Sequence, residues 1–156
     1  MLEGAAGVQL VEARPADDPE FSARLMEYWW DLGVVPPQDW HARYLRRLGE
    51  EQGRGRHTLW GTAAAGRVGF AVLRLDADFV DPERRLGYIA EFSVFPRWRR
   101  QGWGRQQFTA VRGWFAARGC RDLELDVLPS NARAQAFWSA LGFLPAYQHL
   151  RLGPLA

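Results

Sequence analysis

The chain has 156 residues, 47% hydrophobic and 24% charged, with a formal net charge of +2 and eight tryptophans. That is one domain by length, 1–156, with enough apolar content for a real core and against disorder. No apolar run approaches a membrane span, Met1-Leu2-Glu3-Gly4 lacks the basic region of a leader, and 18 carboxylates nearly balance 20 basic residues, so neither membrane nor nucleic acid is expected as a partner.

Val8 to Ala13 reads as a first strand. Asp17 or Asp18 caps a helix running to about Leu32, with Pro19 in its first turn and Gly33 as its stop. Pro36-Pro37 opens a second helix through Trp40, Tyr44, Leu45 and Leu48 to about Glu51. Gly53-Arg54-Gly55 is a turn. His57 to Ala63 and Arg67 to Leu75 form a hairpin around Ala65-Gly66, and Asp76 to Arg85 is a polar loop. Tyr88 to Phe95 is a strand closed by Pro96, and a helix runs from about Trp103 to Arg118. Asp122 to Val127 alternates polar and apolar as a half-buried strand does. Ala132 to Leu141 is a helix stopped by Gly142, and a last strand follows.

Chemistry concentrates between Glu91 and Asp122, an interval with seven arginines and no carboxylate inside it. Glycines at the strand-to-helix junction let backbone N–H groups turn inward, and the helix start adds the positive end of its dipole. The product is an anion cradle among guanidinium groups suited to phosphate. A dinucleotide fingerprint would need a third glycine, but Arg105, Gln106 and Gln107 follow Gly102-x-Gly104. A P-loop would need a lysine, and the chain has none.

Arg99-x-x-Gly102-x-Gly104 resembles the pyrophosphate-binding motif of the GNAT superfamily of acyl-CoA N-acetyltransferases. Asn131-x-x-Ala134-x-x-Phe137-Trp138-x-x-x-Gly142-Phe143 is similar to the family's second signature, and Asn131 is the chain's only asparagine. The two blocks cover roughly Tyr88 to Leu152. The resemblance implies an α/β fold with a central mixed, twisted sheet of six or seven strands, flanking helices, and fourth and fifth strands that splay to admit coenzyme A. It further implies a cytoplasmic enzyme using acetyl-CoA and no metal to acetylate a primary amine of a small-molecule or peptide acceptor. The lone Cys120 fits a reducing compartment. Dimers are common in the family, so a homodimer is compatible with it. The rival is a non-catalytic acyl-CoA sensor.

Under the resemblance, backbone amides from Gln101, Gly102, Trp103, Gly104 and Arg105 hold the pyrophosphate, with the side chains of Arg99 and Arg100 in support. Val94 bonds the pantetheine arm, and the N–H of Phe92 activates the thioester carbonyl. Asn131 bridges to pantetheine or caps its helix, and Phe137 and Trp138 pack at the sulfur end. Glu91, on an otherwise mostly apolar strand, is the first choice of base, because a carboxylate in such surroundings has a raised pKa. A pairing with an arginine, reserve bases at Glu124 or Asp126, or a water chain are the alternatives. Trp138 stands where the family often has a tyrosine that protonates the thiolate, and an indole is no acid; Tyr88 or Tyr147 could substitute. In the family the first two helices wall the acceptor pocket, which brings in Tyr28, Trp29, Trp30 and Asp31, with Asp126, as grips for an ammonium group. Core packing is the alternative for those aromatics. His41, His57 and His149 have no metal-ligand spacing.

Overall fold

Asp18 caps the first helix: its Oδ1 accepts from the N–H of Glu20 at 2.9 Å, and Pro19 holds the first helical position. In the computed structural model, which describes residues 7–155, the elements are β1 (Gln9–Glu12), α1 (Pro19–Asp31), α2 (Trp40–Glu51), β2 (Arg56–Ala63), β3 (Gly66–Ala77), β4 (Arg85–Val94), α3 (Trp103–Ala116), β5 (Cys120–Glu124) and α4 (Ala132–Ala140). A 3-10 turn at Pro96–Trp98 joins β4 to the loop before α3. The residues examined for a leader fall outside the described part. Two compact units divide between Asp126 and Val127: the sheet with α1, α2 and α3, then α4 and the tail.

The five strands form one mixed sheet in chain order, antiparallel except for the parallel pair β4–β5. Alternation along the strands sorts its two faces. Trp60, Phe70 and Val72 pack with Phe21, Leu25 and Trp29 of α1 and Leu48 of α2. Phe21 stands edge-on to Trp60 at 5.4 Å and to Phe70 at 5.1 Å. The neighbouring strand residues Gly61 and Gly69 face the other way, toward Gln107 of α3. That side chain is buried, and its Nε2 donates to the carbonyls of Phe70 at 3.2 Å and Ser93 at 3.1 Å. Glycine is required under it, because a Cβ at either position would strike its Oε1.

One feature of the sheet positions everything else. β5 pairs with β4 only from Arg85↔Cys120 to Tyr88↔Glu124, while β4 continues to Val94. From Ile89 onward the β5 side of β4 has no strand partner, which is the expected splay. The β3 register slips at Val72/Leu73, leaving Ala90 as a bulge beside this open edge.

Three expectations are corrected. Among the described residues the sheet has five strands, not six or seven, because none follows α4: Leu144, Leu150 and Leu152 are more than 80% exposed and join no ladder. β5 ends at Glu124 rather than Val127, since its last pair with β4 is Tyr88↔Glu124 and the chain leaves the β4 edge there. α2 begins at Trp40 instead of Pro36-Pro37, because Asp39 takes a left-handed φ of 65° and turns the chain there. No helix among the described residues is long and apolar enough to cross a membrane.

Candidate active site

The loop from Arg99 to α3 is built on left-handed backbone, with φ of 59° at Arg100 and 85° at Gly102. Successive residues of opposite hand turn their N–H groups to one side, making an anion nest. The first intrahelical bond of α3 runs from Gln106 N–H to Gly102 O, so the amides of Trp103, Gly104 and Arg105 have no helical acceptor behind them. No atom lies within 4 Å of where a Gly102 Cβ would stand. Donors, dipole and room converge here, and Arg100 and Arg105 lie exposed beside them. Trp103 stands edge-on to Trp98 at 5.8 Å, and Gln101 Nε2 closes the loop onto the Arg97 carbonyl at 2.8 Å.

The open edge of β4 leads into this cradle. Phe95 N–H bonds to Val68 O across β3, so alternation turns the backbone groups of Val94 and Phe92 away from β3, toward the gap. The Val94 carbonyl is taken by Arg99 Nε at 2.8 Å. The Phe92 N–H bonds to the hydroxyl of Tyr28 from α1.

Glu91 pairs with Val72 and so shares its face, pointing into the aromatic layer under α1 and α2. Tyr44 of α2 donates to Glu91 Oε1 at 3.0 Å, and Tyr28 bonds the same carboxylate. Burial pushes the Glu91 carboxyl above its ordinary value; the two tyrosine hydroxyls and the nearby Arg56 pull in the opposite direction without cancelling it. Both tyrosines are themselves pushed well up, first by burial and then by Glu91. A carboxylate raised toward neutrality and held by two neutral donors can accept a proton and pass it on.

The remaining expected residues fall in several places. Trp29 is buried in the core, stacked on Trp40 at 6.1 Å and tilted against Tyr44 at 5.3 Å, whereas Trp30 is 70% exposed. Asp31 pairs with Arg99 Nη2 at 2.5 Å, so one acceptor-side residue and one cradle residue neutralise each other. Asp126 accepts from Tyr88 at 2.7 Å, and Tyr88 is pushed up to about 12 by burial and that bond. Tyr88 also carries Arg74 over its ring at 4.3 Å. Within the second unit, Asn131 Oδ1 caps α4 by accepting from Ala134 N–H at 3.1 Å. There Trp138 is buried between the rings of Phe137 and Phe143, and Tyr147 is exposed. Burial raises the Cys120 thiol, which makes it a poor nucleophile. No group of His, Cys, Asp and Glu among the described residues is placed to hold a metal.

The sequence does not single out Tyr44, which the fold places on Glu91. Its signal was present: Trp40, Tyr44 and Leu48 recur at four-residue spacing and mark the inward stripe of α2. What the stripe does not say is that a carboxylate waits opposite the one hydroxyl on it.

The sequence profile of the acetyltransferase (GNAT) family matches residues 22–143. An aminoglycoside N(6')-acetyltransferase type 1 from Stenotrophomonas maltophilia is 29% identical over 142 residues, covering 89% of this chain and 88% of the relative. Among solved structures, an aminoglycoside N-acetyltransferase in complex with CoA superposes with a TM-score of 0.72 over 100% of both chains at 18% identity. A ribosomal-protein-alanine N-acetyltransferase from Brucella melitensis biovar Abortus gives a TM-score of 0.75 over 94% of this chain and 99% of its own, at 17% identity. At such identities the structural likeness carries the fold alone, and the two neighbours are named for quite different acceptors.

Proposed function

The chain belongs to the acetyltransferase (GNAT) family, and we propose that it transfers the acetyl group of acetyl-CoA to a primary amine of a small-molecule acceptor, with Glu91 as the base. We read residues 1–156 as one catalytic domain acting in the cytoplasm. The observation that carries this reading is the juxtaposition on β4 of a carboxylate raised by burial and a Phe92 amide on the open edge, with a left-handed glycine cradle at the strand's exit.

The fit to acetyl-CoA rests on that cradle and edge. Amides from Gln101 to Arg105 would receive the pyrophosphate, and the edge from Ile89 to Val94 would lie along the pantetheine. Arg100 and Arg105 are the side chains left to assist, since Arg99 is engaged by Asp31 and Val94. When bound, the thioester supplies an activated acetyl group with a thiolate to leave.

This chain's own residues do the rest. Glu91 takes the proton of the attacking ammonium, which must be neutral to attack. The Phe92 N–H donates to the carbonyl oxygen as negative charge grows there, after giving up Tyr28. Tyr28 touches both groups and is the hydroxyl best sited to hand a proton to the departing sulfur, the task Trp138 cannot perform. Glu91 passes the ammonium's proton to solvent and takes the second one, which the nitrogen sheds as the amide forms; that proton can refill Tyr28, so the sulfur is protonated from within the site and one proton is released overall.

The test is thiol release from acetyl-CoA against a panel of amines, aminoglycosides first because of the relatives' names. Acetylated product with any amine supports the reading. Tight acetyl-CoA binding with no product across the panel would replace it with the sensor role that Trp138 suggests.

A further inference from the structure

A cavity of about 360 Å³ opens beside the Glu91 cluster, between α2 and the strands β2 and β3. Tyr44 belongs to both: it lines the cavity, and its hydroxyl donates to Glu91. The charged walls are Arg47, Glu51, Arg56, Arg74 and Asp76. Two of these cations are already answered. Arg47 pairs with Glu51 at 2.8 Å, and Arg74 pairs with Asp76 at 2.8 Å.

Arg56 is different. It is half-buried, and among the described residues no carboxylate lies within ion-pair distance of it, although its field reaches both Glu91 and Tyr44. A partly desolvated guanidinium without a partner is costly, and an oxyanion delivered by a ligand would relieve that cost through forked hydrogen bonds. The carboxylates on the cavity wall, and the two acids expected to grip an ammonium group, already have partners. Asp31 is held by Arg99, Asp126 by Tyr88, Glu51 by Arg47 and Asp76 by Arg74. The cavity therefore presents one cation beyond its ion pairs, and Tyr44 separates it from the buried Glu91 carboxylate.

We propose that this cavity reads an acidic group on the acceptor: the substrate is an amine that also carries a carboxylate, which pairs with Arg56 while the amino group reaches Glu91 past Tyr44. The acceptor class is thus amino-acid-like rather than a polycationic sugar. This inference rests on the amine acetylation proposed above and names its substrate class.

The experiment compares matched amines with and without the carboxylate, lysine against cadaverine and tyrosine against tyramine, by thiol release at saturating acetyl-CoA. The carboxylated member should be favoured in kcat/KM by about tenfold or more, as expected for a charge-assisted contact. Arg56→Gln should collapse that ratio toward unity, mainly through KM, and Arg56→Lys should restore part of it. Because each ratio is internal to one variant, a general loss of folded protein does not move it. An unchanged ratio in Arg56→Gln, or a wild-type preference for the decarboxylated amine, overturns the proposal.

If no amine is turned over, the acetylation reading fails separately, and the pocket is judged by titrating glutarate into the protein and following its NMR resonances. Saturable binding lost in Arg56→Gln and kept in Arg56→Lys then supports an anion site. No binding, or binding indifferent to Arg56, sinks it.

Discussion

Replacing Tyr44 with phenylalanine removes a single oxygen, the one that donates to Glu91 Oε1 at 3.0 Å. The ring keeps its place against Trp29, so packing changes little. The electrostatic effect has a definite sign. Glu91 must be ionised to accept a proton, and the Tyr44 hydroxyl favours that ionised form against burial, which disfavours it. Losing the donor therefore pushes the Glu91 carboxyl higher still. A hydrogen bond to a charged group contributes about 1.5–3 kcal/mol, and 1.36 kcal/mol corresponds to one pH unit, so roughly 1–2 units is the ceiling. Tyr28 remains as a second donor and shares the load, which brings the expected move to about one unit. The assay is kcat/KM against pH for wild type and Tyr44→Phe with one responsive amine. The acidic limb should shift upward by that amount while the rate at high pH is nearly kept. Glu91→Gln serves as the reference: it should lose about a hundredfold or more in rate, and the limb with it. An acidic limb that stays put in Tyr44→Phe and persists in Glu91→Gln would mean that another group, or water, takes the proton.

Glu91 should also cost stability at neutral pH. Its folded-state carboxyl is raised above the unfolded value, so its favourable contribution is present below the unfolded pKa of about 4.5 and is lost as pH rises through the folded one. Glu91→Gln should melt above wild type at pH 7 and converge with it in acid; a mutant less stable at both would contradict the burial argument. At the cradle, Gly102→Val should leave a folded protein, weakened by about 1–2 kcal/mol for the left-handed backbone, yet lose acetyl-CoA affinity in calorimetry because its side chain fills the nest. Under α3, Gly61→Ala and Gly69→Ala both strike Gln107, but Gly69→Ala also meets the Ser93 carbonyl oxygen. Combining each with Gln107→Ala should relieve the first and not the second, read from urea midpoints of the double-mutant cycles.

Local chemistry explains what could be read from one dimension. The Asp18 cap, the left-handed Gly102 before α3, the alternation that marks β5 and the stop at Gly142 each depend on neighbours a few residues away. The cradle belongs to this class, because a turn and a helix start make their own amides available wherever they fold. So does the identity of Glu91 as a charged residue on an otherwise mostly apolar strand. The rest needed the third dimension. Tyr44 and Glu91 stand 47 residues apart in sequence, and Arg99 and Asp31 stand 68 apart. No periodicity encodes such pairs, since they exist only once α1 and α2 pack on the sheet face that Val72 and Glu91 share. The missing last strand has the same cause. Leu144 to Leu152 has enough apolar character for a strand, but a strand is made by pairing, and among the described residues this segment joins no ladder. Which arginines already have partners inside the protein likewise depends on the tertiary structure. Arg99, a phosphate ligand under the resemblance, is tied to Asp31 and Val94, while Arg56, unremarked in the sequence, stands half-buried with no carboxylate at ion-pair distance among the described residues, because the fold gathers the other acids around other cations.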